Sequence, residues 1–337
     1  DGIVDRFEAE GLPIFGPNAA AAKLEGSKAH ARLLMNHLGI PTPRFAICDT
    51  ADRAMYLART QRWARVFKAD GIAYGKGVRV TERLDEVEAA LQDILVDNVY
   101  GLESDRIVVE ERLVGDEVTV FALTDGEQIL VLGHVHNHPR LHAGEQGPPT
   151  RGMGQVSPAP QIDAVMLERI EQVVLRPTVE ALAEAGTPLR GALFVDFMLV
   201  KGQPYAIDYN VRFGDPATQT ILSSYSGDIY AVLLACTRTG ELSQAVEALT
   251  RDARPRVSVV LACEGYPGHY VRGDAIQVDH SVFVDDPDLT LFEDGVRVTP
   301  SGPETTGGRA FTVVAAGATT AEARARAYRG VDAIDFR

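Results

Sequence analysis

The sequence is short of sulfur, aromatic rings and positive charge, and each shortage excludes something. Its three cysteines (Cys48, Cys236 and Cys263) are odd in number and far apart, so neither a disulfide framework nor a CxxC site is implied. A reducing cytoplasm is the default compartment. Lysine and arginine number 33 against 47 acidic residues, a net charge of −14. Gripping a nucleic-acid backbone requires clustered cations, so nucleic acid is not expected as a partner. Small phosphate-bearing molecules stay admissible, because a few local cations suffice for them. No run of about 18 apolar residues occurs, so no membrane span or membrane partner is expected. The opening Asp1-Gly2-Ile3-Val4 has no Met and no signal-like core. With the abrupt Ile334-Asp335-Phe336-Arg337, both ends read as cut.

What is present is the balance of a soluble globular enzyme: 45% hydrophobic and 24% charged residues over 337 positions. At roughly 100–200 residues per domain, that length suggests two or three domains. Leu12–Pro17 reads as strand and turn, followed by an Ala-rich helix from about Asn18 and a second from Ser27 to Leu38. Strands are expected at 65–69, 78–81 and 106–113, with an amphipathic helix over 84–98. Asp125-Gly126 marks a hairpin turn between two β-rich runs. A polar Gly/Pro/His loop covers 137–160, and a helix over 162–185 carries Pro177 inside its pattern. Strands at 191–200 and 204–209 follow. Asp215-Pro216 reads as an N-cap with proline at the first helical position. Beyond about 241 strands dominate, until a capping box at Thr319–Glu322 launches a last helix.

Four groups of residues invite chemistry. Lys68 and Lys76 bracket a loop with three glycines, which suits a hairpin lid over phosphates, although an ordinary glycine-rich turn reads the same way. Its spacing is not that of a Walker A loop. Asp208 and Asn210 fall on one face of a strand, with Asp196 across a short turn; converging oxygens of this kind suit Mg²⁺, or form a satisfied polar cluster. Glu110, Glu111 and Glu117 interrupt apolar strands, as a nucleotide hinge or a solvated strand end. His134, His136, His138 and His142 invite zinc, but a polar loop lining a substrate pocket is the better reading.

Taken in order, Phe15-Gly16-Pro17, Leu24-Glu25-Gly26-Ser27-Lys28, Gly39-Ile40-Pro41-Thr42, Lys68-Ala69-Asp70-Gly71, Gly75-Lys76-Gly77-Val78 and Val109-Glu110-Glu111 resemble the ATP-grasp superfamily. The fuller likeness is to its phosphoribosylamine–glycine ligase (glycinamide ribonucleotide synthetase) family. Gly152-Met153-Gly154, Ser157-Pro158-Ala159-Pro160, Arg212-Phe213-Gly214-Asp215-Pro216 and Gly265-Tyr266-Pro267-Gly268 extend it through nearly the whole chain. The resemblance implies an α/β (α+β) ATP-grasp fold with a small mobile lid and a C-terminal β-rich domain. Its bounds would be a remnant of an N-terminal domain at 1–21, the large subdomain at 22–47 and 116–240, the lid at 48–115, and the last domain at 241–337.

It also implies ATP and Mg²⁺ (or Mn²⁺). Lys68 and Lys76 would meet the phosphates, with Glu110, Leu113 and Glu117 around adenine and ribose. Asp208 and Asn210 would hold the metal, and Asp196 would restore reach that Asp208 loses, since the family usually has Glu there. Arg212, Lys76 and Arg140 would carry the chemistry, while His138, Arg140, Arg151 and Asp215 would meet the substrates. These would be a small-molecule carboxylate and amine, acted on by a monomer or homodimer.

The acceptor half departs from the family. The loop usually close to Gln-Asp-His-Lys-Arg is His136-Asn137-His138-Pro139-Arg140, Pro149 and Arg151 replace Asn and Gly, and Ala217 replaces Glu. Two enzyme readings follow, glycinamide ribonucleotide synthesis or a paralogue of specialised metabolism joining another carboxylate and amine. The loop leans towards the paralogue and family membership towards the synthetase. A non-catalytic nucleotide-binding relative is a third reading, disfavoured by the retained lysines and metal positions.

Overall fold

The computed structural model describes residues 2–73, 77–99 and 106–336. They fall into two compact units. One gathers Asp1–Val131, Asp163–Arg212 and Tyr230–Val246, the other Leu132–Ile162, Phe213–Ile229 and Glu247–Arg337.

The first unit holds a four-stranded antiparallel sheet in the order Phe45–Cys48, Ile107–Glu111, Ala64–Ala69, Val78–Val80. Ile107, Val108 and Val109 are β-branched and fully buried, as a strand covered on both faces requires. Helices Ala51–Thr60 and Leu84–Leu91 pack on it through Ala54, Ala58, Val87 and Leu91 against Phe67 and Val109. The Thr50 hydroxyl caps the first helix by accepting from Arg53 N–H. The expected 84–98 helix widens after Leu91 into a π-helical segment, Gln92–Val96.

The same unit carries three neighbouring antiparallel strands, Asp116–Asp125, Arg190–Val200 and Gln203–Asn210. The turn after Asp125 is closed by its own carboxylate, which accepts from the N–H groups of Glu127 and Gln128. The helix expected over 162–185 runs as Ala164–Ile170, a π segment Glu171–Leu175, and Arg176–Glu184. Pro177 stands at the start of the last piece. Proline has no N–H and crowds the carbonyl four residues back, and a wider turn just before it accommodates both defects.

In the second unit, strands Gly154–Ser157, Arg256–Ala262, Arg309–Ala316 and Leu289–Glu293 pair in that order, all antiparallel. His136 and Asn137 pair with Val156 and Gln155 on its other side. Helix Thr320–Asp332 buries Ala323 and Ala327 against Val313, Val257 and Leu289. Its capping box forms at one end as expected, with Glu322 N–H donating to Thr319, while the Glu322 carboxylate reaches Ala318 N–H instead of the cap residue's own.

Four local expectations fail. The Ala-rich helix expected from about Asn18 is helical only at Lys23–Gly26, after turns at 19–22. Residues 12–15 form no strand, since Pro13 removes a ladder donor and Leu12 N–H turns back to Phe7. The loop at 137–160 contains short strands at Arg140–His142 and Gln146–Pro149, besides Gly154–Ser157. Asp215 is not a helix cap: the helix is Ala217–Leu222 with Pro216 before it, and the Asp215 carboxylate is drawn away by an arginine.

Among the described residues no helix is long and apolar enough to cross a membrane. All three cysteines are free and buried.

Candidate active site

One face of the three-stranded group collects polar, oxygen-bearing side chains. Asp196 stands opposite Asp208 on one side and Thr119 on the other, and Asn210 lies one pleat along, opposite Phe194. Glu117, opposite Met198, shares that face by alternation. Asn210 Nδ2 donates to Asp196 Oδ2 at 3.1 Å, and Thr119 Oγ1 donates to Asp196 Oδ1. Between them, Tyr209 points the other way into the core and shares a hydrogen bond with Thr178. A two-residue repeat thus puts polar atoms out and an aromatic in.

One lysine reaches this face from elsewhere, and a second reaches the main chain beside it. Lys28 Nζ lies 2.5 and 2.6 Å from the two Asp208 oxygens. Lys28 is the first residue of helix Lys28–His37, capped by Ser27 Oγ, which accepts from His30 N–H. Asp70 reinforces that end by accepting from Ser27 Oγ and Ala29 N–H, a carboxylate at a helix N-terminus. Lys68 is almost wholly buried, 3.0 Å from Glu110 and 2.9 Å from the Ile207 carbonyl. Arg32 completes the group: its Nε is 2.6 Å from Glu110, and its other nitrogens donate to Thr42 Oγ1 and the Ala206 and Ile207 carbonyls. Lys68 and Arg32 therefore fasten the main chain immediately before Asp208.

Burial first, then the Asp208 charge, pushes the Asp196 carboxyl up to about 6. Burial also penalises the Asp208 carboxylate, but Lys28 and Lys68 outweigh it and hold that group below its ordinary value. Glu110 behaves likewise under Lys68 and Arg32, while burial lowers Lys68 itself. Two acids thus face each other across the strand pair, Asp208 held as a carboxylate by an internal ammonium and Asp196 held closer to its neutral form.

Arg212 follows the strand and is exposed. Its Nε donates to Glu25 at 2.7 Å and its Nη2 to Asn210 Oδ1 at 3.1 Å, and Glu25 also accepts from Val211 N–H. Leu113 lies half-buried after strand Ile107–Glu111. Glu110 spends its carboxylate on Arg32 and Lys68. Lys76 lies outside the described residues.

The remaining expected residues belong to the second unit. His138 pairs with Glu145 at 2.9 Å and stacks edge-on against His136, while Arg140 donates to the Gly147 carbonyl. His134 is buried and accepts from Ala159 N–H on Nδ1. Arg151 is exposed, and Asp215 is gripped by Arg309 and Gln219.

Reasoning from residues alone missed Lys28, Arg32 and Arg309. For Lys28 a local signal existed, a Ser-Lys pair opening a helical run after Gly26. For Arg32 and Arg309 none did, because their partners are remote in sequence.

Comparison with known proteins identifies the family. Residues 26–218 match the phosphoribosylglycinamide synthetase ATP-grasp (A) domain, and residues 256–337 match the C domain of the same synthetase. The chain is 37% identical to a phosphoribosylamine–glycine ligase of Phenylobacterium zucineum, over 99% of its own length and 78% of the relative's. Against the enzyme of the same name from Caldanaerobacter subterraneus it is 38% identical, over 100% and 79%. The crystal structure of phosphoribosylamine–glycine ligase from Thermotoga maritima superposes with a TM-score of 0.84 at 31% identity, covering 96% of this chain and 79% of that one. The biotin carboxylase domain of Hydrogenobacter thermophilus 2-oxoglutarate carboxylase shares the fold at 16% identity and a TM-score of 0.75, covering 99% and 71%. The α/β ATP-grasp fold expected from the sequence is the one these structures share. The chain belongs to the phosphoribosylglycinamide synthetase family of ATP-grasp ligases, which form a C–N bond.

Proposed function

We propose that this ligase joins glycine to phosphoribosylamine, using ATP and Mg²⁺ (or Mn²⁺). The observation that carries the reading is the Lys28 ammonium on Asp208, on the face shared with Asp196 and Asn210, beside a Lys68 that fastens the main chain at Ile207. Relatives matching across the whole chain support it over a paralogue with other substrates, despite the altered acceptor loop.

Asp208, Asn210 and Asp196 would hold the divalent ion, which supplies charge neutralisation at the phosphates. Lys28 and Lys68, with Lys76, would meet phosphate oxygens, and Glu117 and Leu113 would border adenine and ribose. Glu110 reads best as the buried anchor that orients Lys68. A glycine carboxylate oxygen attacks the γ-phosphorus, the bond to ADP breaks, and glycyl phosphate forms. The amine nitrogen then attacks its carbonyl, phosphate leaves, and the nitrogen loses a proton. Such chemistry depends on positioning and fixed positive charge, which is the role of Arg212 and Arg140. His138, Arg151 and Asp215 would border the substrates. Residues 48–115 would act as the lid over the body formed by 22–47 and 116–240, excluding water from the acyl phosphate.

Hydroxylamine trapping tests this reading. With ATP and Mg²⁺, glycine should give more hydroxamate than any other acid in a panel, and adding phosphoribosylamine should replace it with amide product. A different preferred acid would overturn the assignment.

A further inference from the structure

The main chain of Arg151 is held from both sides, while its guanidinium makes no hydrogen bond or ion pair among the described residues and acts only at longer range on the Asp294 carboxylate. Its N–H donates to the Tyr266 hydroxyl at 3.2 Å, and its carbonyl accepts from Arg309 Nη1 at 3.1 Å. Arg309 is only 6% exposed, on the core strand Arg309–Ala316. The same Nη1 reaches the Asp215 carbonyl at 3.1 Å, and Nη2 pairs with the Asp215 carboxylate, with Asp294 at 3.7 Å. Gln219 Nε2 takes the other Asp215 oxygen at 3.0 Å. Asp215 is thereby neutralised by Arg309 rather than by Arg151. Tyr266 is itself seated closely, since a Cβ on Gly308 would lie 2.5 Å from its ring.

The Arg151 side chain, by contrast, is exposed and makes no hydrogen bond or ion pair among the described residues. A guanidinium matches a carboxylate or phosphate with two parallel hydrogen bonds. Fixing the backbone that carries it lowers the ordering cost of that contact.

We propose that Tyr266 and Arg309 are positioning residues that hold Arg151 ready for a compact substrate oxyanion, either a phosphate monoester or an amino-acid carboxylate. This rests on Arg151 being a substrate residue, as in the function proposed above, and names what sets it in place.

The test is calorimetric binding, without turnover, of two probes to the full chain. Ribose 5-phosphate represents the phosphate ester and glycine the carboxylate, with ADP as control. One probe should bind the wild type, weaken more than about tenfold in Arg151→Ala and roughly threefold to tenfold in Tyr266→Phe, with ADP affinity unchanged. Arg309→Lys should resemble Tyr266→Phe; if it does not fold, the tyrosine variant still decides. Which probe responds identifies the oxyanion. Wild-type affinity in Arg151→Ala or in Tyr266→Phe, or no binding of either probe to the wild type, would overturn the proposal. Probe binding with the expected losses, but no ligation of glycine, would instead overturn the function proposed above and leave the clamp standing.

Discussion

The Lys28 ammonium spans both oxygens of Asp208 across 180 residues of sequence, at 2.5 and 2.6 Å. It gives the carboxylate an internal counter-charge. Both side chains remain partly exposed, at 15% and 25%, so a nucleotide phosphate can compete for the lysine. Lys28→Met should lower kcat/KM for ATP roughly 10–100-fold, with a melting temperature close to wild type. Steady-state kinetics at saturating metal would measure it. An unchanged kcat/KM for ATP would remove Lys28 from the site.

Asp196 faces Asp208 and is tied to Thr119 and Asn210. If it is a ligand, Asp196→Asn keeps the shape but removes a charge, and the Mg²⁺ midpoint for activity should rise about tenfold. A superimposable Mg²⁺ titration would reduce Asp196 to a strand-pairing role.

The buried Arg32–Glu110–Lys68 group makes a stability prediction. Glu110→Gln leaves two buried cations short of their carboxylate, so urea unfolding should show a loss of about 3–5 kcal/mol. A loss below about 1 kcal/mol would mean that water reaches these cations.

His134 makes the fold sensitive to acid. Burial, then the Arg251 charge, pushes its imidazole from 6.5 down to about 4, and Nδ1 must stay unprotonated to accept from Ala159. Between those two values the unfolded chain binds a proton that the folded chain does not. This contribution to stability is therefore lost as pH falls from about 6.5 towards 4. It amounts to about 2 kcal/mol between pH 8 and pH 5. Urea titrations at the two pH values should show the slope in wild type and a flatter one in His134→Asn. Equal slopes would assign the acid sensitivity to other groups.

Much of this was legible in order along the chain. The two-residue repeat at Asp208-Tyr209-Asn210 placed two polar side chains on one face and Tyr209 on the other, because strand geometry leaves no third option. Asp125-Gly126 announced its turn, since an Asp side chain can bond the next N–H groups. Pro177 misled only about regularity: no sequence rule states that a π segment will precede it.

What sequence alone determined is the local chemistry: which strands carry acids, which helix ends carry caps, and which motifs tie the chain to its family. Tertiary structure decided which charges meet. Lys28 finds Asp208, Arg32 finds Glu110 78 residues away, and Arg309 finds the Arg151 carbonyl 158 residues away. A buried charge accepts whichever opposite charge the packed core brings within about 3 Å, and that choice is made by how helices and strands stack, not by spacing along the chain.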